Sequence, residues 1–350
     1  ALYDGVSPDG TTYDQPSIQQ IHQAYGRQFQ LPQEAAHNEI CAQIGMLLFS
    51  WRMYQATADG KYLDNIENEL YNGILSGISL DGKDFFYTEA LRRTKEFPYT
   101  MRWPKHRQRY ISCFCCPPNT LRTLCEAQEY AYSMSKDTLY VNLYGQNALV
   151  TKDLVIEQTT DYPWDGRISI DIKKVKRLGT VVLHIPSWAE SYTLHVNGEQ
   201  VDNTKITRKW KKGDRIELVL SMTPRLVEAN PLVEEAKNQV AVMRGPIVYC
   251  LEGQDIESTA NGKQPKARIN DIAIPADIRL TEKKITLAGH EMIALEGDAI
   301  VTNNRAWDNQ TLYRTMKPIA KQKVRIRLIP YYAWDNRGID DMSLWLPVSK

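Results

Sequence analysis

Ile111-Ser112-Cys113-Phe114-Cys115-Cys116-Pro117-Pro118-Asn119-Thr120 places three of the chain's six cysteines within four positions. A hydrophobic core has no use for such a cluster. Buried structural cysteines occur singly as small apolar residues, and adjacent Cys115 and Cys116 can bridge each other only through a strained ring. Clustered thiols point instead to metal or nucleophilic chemistry. Pro118 suits the first turn of a helix, and Pro117 biases Cys116 toward extended backbone, so the thiols are expected just ahead of a helix N-terminus. Leu121, Leu124, Cys125, Gln128 and Tyr132 carry helical spacing onward to about Ser135. The positive end of that helix favours thiolate over thiol.

Two thiolates make half of a tetrahedral zinc site, and the other half is sought in His37-Asn38-Glu39-Ile40-Cys41. Glu39 and Cys41 stand two positions apart, which in mid-helix turns them roughly 200° from each other. They share a metal only where a helix begins. The apolar stripe Ala36, Ile40, Ile44, Leu47, Leu48 and Trp51 predicts a helix over about 34–57 with both residues in its first turn. Alone, Glu39 reads as a carboxylate answering the helix dipole and Cys41 as a core residue. With Cys115 and Cys116 they become a four-donor set.

These motifs, with Glu67-Asn68-Glu69-Leu70-Tyr71-Asn72-Gly73, Phe85-Phe86-Tyr87, Val242-Met243-Arg244-Gly245-Pro246 and Pro330-Tyr331-Tyr332-Ala333-Trp334-Asp335-Asn336-Arg337-Gly338, resemble glycoside hydrolase family 127 along nearly the whole chain. Its founding activity is β-L-arabinofuranosidase. The resemblance implies a zinc ion on Glu39, Cys41, Cys115 and Cys116, with Cys115 the nucleophile of a retaining mechanism. It implies sugar contacts at Glu67, Tyr87 and His37. The family's acid/base glutamate falls sixteen positions before Glu39, where this chain has Gln23, which cannot exchange a proton. His22, His37, Glu34 or the substrate's own acid group are the candidate replacements.

The family's catalytic domain resembles an (α/α)6 barrel followed by β-sandwich domains. Such a barrel needs about twelve helices of a dozen or more residues, and only about four precede the strands here. Residues 1–136 are therefore expected to be the last part of a barrel whose remainder is a preceding segment or a second chain. From Asp137 the period changes to two. Thr138–Tyr144, Gly179–Pro186, Tyr192–Val196 and Asp214–Leu220 read as strands of a β-sandwich over 137–230, and a second β-rich sandwich is expected over 231–350. His184, His195 and Cys250 fall on strand faces and read as packing or surface residues. Helix 61–72 is expected to end at Gly73 as a C-cap, and Asp81-Gly82 to turn a hairpin.

The 350 residues allow two or three domains, and a net charge of +1 gives no reason to expect nucleic acid or a membrane surface as partner. Six cysteines in so long a chain are no disulfide framework. The expected location is periplasmic or secreted, with cytoplasmic as the alternative. Basic residues crowd the approach to the cysteines: Arg92, Arg93, Lys95, Arg102, Lys105, His106, Arg107 and Arg109. They suggest an anionic ligand, and hence an acidic pentofuranose of a pectin side chain as an alternative to β-L-arabinofuranose from a plant oligosaccharide. Two rival classes stand beside the hydrolase. One is a non-catalytic carbohydrate-binding protein with a structural zinc staple. The other is a thiol redox protein, although adjacent cysteines lack the two-residue spacer of such motifs.

Overall fold

The computed structural model of the chain describes residues 27–95, 103–257, 267–302, 310–315 and 322–349. Helices come first. Helix α1 (Ile40–Thr57) buries Ile40, Ile44, Leu47 and Tyr54, a three-to-four residue spacing that keeps one face inward, and Ala58 closes it in a left-handed turn. The helix starts later than the stripe suggested, and Leu48 is turned outward. Helix α2 (Lys61–Asn68) packs on it through Leu63 and Ile66, then continues without a break into a π-helical turn, Glu69–Ile74. Gly73 is therefore no C-cap. It sits in close approach to α1, where a Cβ would lie 1.6 Å from Oε1 of Gln43 and would displace the end of that side chain.

Helix α3 (Cys116–Glu126) carries prolines in its first turn. It includes Cys116, which sequence reasoning placed in extended backbone, and it gives way to a 3-10 turn, Ala127–Tyr130, well short of Ser135. The remaining residues of the expected helix form the strand Tyr132–Ser135, paired with Thr138–Val141 through a turn at left-handed Lys136. No helix among the described residues is long and apolar enough to cross a membrane.

A four-stranded and a six-stranded sheet follow, with one shared core of Leu139, Val141, Ile156, Ile170, Val181, Leu194, Ile216 and Leu218 among others. Alternation drives this arrangement. In Arg215–Leu220, Ile216, Leu218 and Leu220 are buried while Arg215, Glu217 and Val219 face solvent. Each such burial contributes roughly 1.5–3 kcal/mol.

The C-terminal strands form the last β-rich segment. They make one ten-stranded sheet whose pairings close on themselves. Ile247–Ile256 pairs with both Gln322–Pro330 and Gln239–Arg244, and the ring is completed through His290–Val301, Ile272–Pro275 and Leu346–Ser349. The parallel pairing of Ile274 and Pro275 with Val348 and Ser349 brings the last strand back to close it. One edge of this sheet comes from the helical segment, where Arg92–Arg93 pairs with Met342–Ser343.

Several contacts fix the helices to the β-domains. The Tyr54 hydroxyl donates to Asn142 Oδ1 at 2.8 Å. His184 Nε2 lies 2.9 Å from Asp64 Oδ1. Asn72 donates to the Pro246 carbonyl at 2.9 Å and accepts from the Val248 N–H at 2.8 Å.

Candidate metal and catalytic centre

Glu39 occupies the N-cap position of α1 in extended conformation, and its side chain makes no capping bond. The carboxylate turns toward the cysteines of α3. Cys115 is the N-cap of α3 and Cys116 its first residue. Two helix starts therefore face each other, which is the arrangement that a two-residue spacing between Glu39 and Cys41 requires.

The four donors converge. One ligand atom from each of Glu39, Cys41, Cys115 and Cys116 lies within 4.8 Å of all the others. Cys41 and Cys116 sulfurs are 3.4 Å apart, Cys115 and Cys116 sulfurs 3.7 Å. Glu39 Oε1 lies 3.6 Å from Cys115 Sγ and 3.9 Å from Cys116 Sγ. A tetrahedron with metal–sulfur bonds of about 2.3 Å has edges of about 3.8 Å. The donor set fits a tetrahedral metal ion in both chemistry and size.

As protein groups alone, the sulfurs share negative charge unequally. The Cys41 thiol is lowered to about 6, first by the hydrogen bond from Cys116 and also by the Asn119 amide, which donates at 3.0 Å. The same interaction pushes Cys116 up, and burial is the chief cause of Cys115 rising to about 11. Charge gathered on Cys41 repels ionisation of its neighbours, and a cation bonded to all of them reverses that logic.

Around the cluster, His37 is buried with Nε2 3.2 Å from Glu39 Oε2, which orients the carboxylate. The Tyr87 hydroxyl stands 3.4 Å from Cys115 Sγ and 3.8 Å from Cys113 Sγ. Burial pushes this phenol far up, so it remains a hydroxyl. Trp103 stacks on the Tyr87 ring with centroids 3.8 Å apart. Sequence reasoning missed Trp103 and Asn119; the latter lies in the quoted run but carries no signal without the fold. Cys113 is 3.9 Å from Cys115 and outside the four-donor set. All six cysteines are free thiols. Cys250 is a buried strand residue, as expected.

Other expected site residues are placed elsewhere. Glu67 is buried against the middle domain, where one carboxylate oxygen accepts from the Tyr162 hydroxyl and the other from Trp188 Nε1. Both oxygens are thereby engaged away from the sulfur cluster. Gln23 and His22 lie outside the described residues. Glu34 lines a small cavity with Thr88, Trp103 and Lys105, and burial raises its carboxyl.

Among the described residues, most of the basic run is paired within the protein. Arg93 pairs with Asp335, Lys95 with Asp340 and Arg109 with Asp84. Arg107 donates to the carbonyls of Ser76, Tyr332 and Trp334. Arg92 binds Asn270 and lies 3.8 Å from Glu34. Arg102 lies outside the described residues. Arg93, Lys95 and Arg107 reach acceptors of the C-terminal domain more than two hundred positions downstream, whereas Arg109 is held within the helical segment by Asp84.

Comparison with known proteins agrees with this geometry. Residues 11–129 match the GH127 catalytic domain of beta-L-arabinofuranosidase, 138–222 the GH127 middle domain, and 224–347 the glycoside hydrolase family 127 C-terminal domain. The chain is 31% identical over 346 residues to a non-reducing end beta-L-arabinofuranosidase of Bifidobacterium longum subsp. longum, covering 93% of this chain and 51% of that protein. A solved structure described as a glycoside hydrolase shares 51% identity and superposes with a TM-score of 0.89 over all of this chain and 58% of its own. A GH127 beta-L-arabinofuranosidase from Geobacillus stearothermophilus T6 shares 33% identity, with a TM-score of 0.83 over 99% of this chain and 53% of its own. The chain thus spans about half the length of the relatives it matches. From three domain matches in the family's order, and a donor cluster built from the residues that carry its motifs, the chain belongs to glycoside hydrolase family 127.

Proposed function

We propose that this chain carries the thiol chemistry of a retaining furanosidase, a glycoside hydrolase that removes a β-L-arabinofuranosyl residue from plant oligosaccharides such as pectin side chains. The observation that carries the reading is the convergence of Glu39, Cys41, Cys115 and Cys116 within one ligand shell. A zinc ion bound there supplies charge that keeps sulfur as thiolate at neutral pH. The protein's own residues do the rest. Cys115 is part-exposed, as are Cys41 and Cys113, whereas Cys116 is buried, so a substrate can reach the Cys115 sulfur. Its sulfur attacks the anomeric carbon as the carbon–oxygen bond breaks, giving a thioglycosyl enzyme that water hydrolyses with net retention. The Tyr87 hydroxyl, which accepts from the Cys115 thiol at 3.4 Å, would turn donor toward the sulfur that must leave as thiolate in the second step.

A neutral sugar is favoured over the acidic pentofuranose. An acid group needs a cation facing the site, and among the described residues the arginines of 92–109 are turned to other partners. The structural-staple reading predicts instead that no furanoside is turned over and that Cys115→Ala acts on stability alone.

The test is turnover of a 4-nitrophenyl β-L-arabinofuranoside with metal analysis. Cys115→Ala should abolish turnover, one zinc per chain should be found, and a substrate pulse should add one pentosyl mass to Cys115. Turnover surviving in Cys115→Ala sinks the mechanism, and metal-free active protein sinks the zinc assignment.

A further inference from the structure

The run Phe85 to Thr88 is held at both ends by isolated bridges, Phe85 with Gln108 and Thr88 with Glu39. Successive side chains of an extended run face opposite ways, and here the two faces serve different domains. Tyr87 turns to sulfur, with its hydroxyl 3.4 Å from Cys115, while its carbonyl accepts from the Ile40 N–H that opens α1. Phe86 turns to the C-terminal domain and stacks on buried Trp334 with centroids 5.0 Å apart.

Arg107 lies on the far side, its guanidinium 4.5 Å from the Phe86 ring. It is buried, and its fork binds the Ser76 carbonyl at 3.1 and 2.8 Å and the carbonyls of Tyr332 and Trp334. Its backbone N–H donates to Asp335 Oδ2 at 3.0 Å. Asp335 Oδ1 accepts from Arg93 Nη1 at 2.5 Å, and that nitrogen also donates to the Lys105 carbonyl at 2.9 Å. Trp103, which stacks on Tyr87, is two positions from Lys105. Asp335 itself sits at φ 63, a left-handed conformation uncommon outside glycine, and its N–H donates to Glu252 at 2.9 Å. A side chain held from so many directions in a costly backbone state is over-determined by its surroundings.

We propose that Asp335 and Arg107 are positioning residues for Cys115: through them the C-terminal domain sets the run 85–88 and the Trp103 ring, and so the approach of the Tyr87 hydroxyl to the sulfur. This rests on Cys115 being the nucleophile.

Asp335→Asn keeps the left-handed backbone accessible, and Arg107→Lys keeps a charge but loses the planar fork. Each is compared with Tyr87→Phe, and the double variant Asp335→Asn with Tyr87→Phe closes a cycle. Two readouts are taken on the chain as purified: kcat and KM on the nitrophenyl furanoside, and iodoacetamide labelling of Cys115 relative to exposed Cys125, resolved by peptide mass. We expect kcat to fall by about 10- to 100-fold in both single variants, with KM within about twofold. The labelling ratio should change in both, and Asp335→Asn should add little once Tyr87 is Phe. Should Arg107→Lys not fold, Asp335→Asn carries the cycle. Additive effects, or a lowered Tm with both readouts at wild-type values, overturn the proposal. If no furanoside is turned over, the nucleophile reading falls, and the labelling cycle alone decides the positioning.

Discussion

Trp188 donates its indole N–H to Glu67 at 2.8 Å, and the Tyr162 hydroxyl donates to the other oxygen of the same carboxylate. The acceptor is on α2 and both donors belong to the middle domain, so one buried side chain joins two domains. Burial raises the Glu67 carboxyl, and the two donors work against that rise.

Glu67→Ala should therefore act on stability. It leaves two buried donors unsatisfied, each costing about 1–3 kcal/mol, and thermal unfolding should shift down by several degrees. Glu67→Gln should lose less, because its amide still offers one acceptor. A raised KM with unchanged Tm in Glu67→Ala would instead return this residue to the sugar site.

The family resemblance is what puts Gln23 at the position of an acid/base glutamate, and that role is the proposal to be tested. With the arginines committed elsewhere, the substrate's own acid group loses its motive as proton donor. An acidic substrate supplying its own proton would make Gln23→Glu lose activity; for the neutral sugar proposed above the expected sign is the opposite. Gln23→Glu should raise turnover of natural glycosides by up to about 10²–10⁴, the usual worth of general acid catalysis, and leave the nitrophenyl substrate nearly unaffected. A fall on natural glycosides would mean that another group, such as His22 or Glu34, already supplies the proton.

Glu89 is buried beside Gln43, whose amide donates to it at 3.1 Å, and desolvation is the chief cause of its carboxyl rising to about 8. A raised acid means the folded chain binds more protons than the unfolded one between the ordinary carboxyl value of 4.5 and about 8. Its contribution to stability is fully present below that window and is lost as pH rises through about 8. Glu89→Gln should raise Tm at pH 8 more than at pH 5. An equal change at both pH values would refute the shift.

Outward-facing Met46, Leu48 and Phe49 on α1, with Phe114 and Leu121 near α3, are all more than 40% exposed. Large exposed apolar patches mark interaction surfaces. We expect a helical polypeptide, the N-terminal part of a barrel or a second chain, to cover them. Hydrogen exchange across 40–57 should slow when that polypeptide is supplied. A monodisperse monomer unaffected by Phe49→Glu would count against it.

The donor set was legible in the sequence because its constraint is local: a spacing of two works only at a helix start, and both starts carry periodic stripes. What misled lay in long-range pairing. Seven arginines and lysines before a cysteine cluster look like an anion site until Asp335 is folded onto Arg93, and Glu67 looks like a helix surface residue until Trp188 covers it. The π-helical turn was read as a capped end because Gly73 signals both, and only its contact with Gln43 separates them. The C-terminal ring was unreadable for a similar reason, since a two-residue parallel pairing has no period of its own.

The edge strand Arg92–Arg93 belongs by sequence to the catalytic segment and by hydrogen bonding to the C-terminal sheet. Any excision or transplant that cuts along the domain matches removes that strand, leaves Met342 and Ser343 paired only with Leu251 and Glu252 on their other side, and opens a sheet margin prone to pairing with other chains. The boundaries that evolution can shuffle and those at which the polypeptide can be cut therefore differ. A swapped C-terminal domain will need residues 92–93, with the loop that delivers them, taken from the same parent.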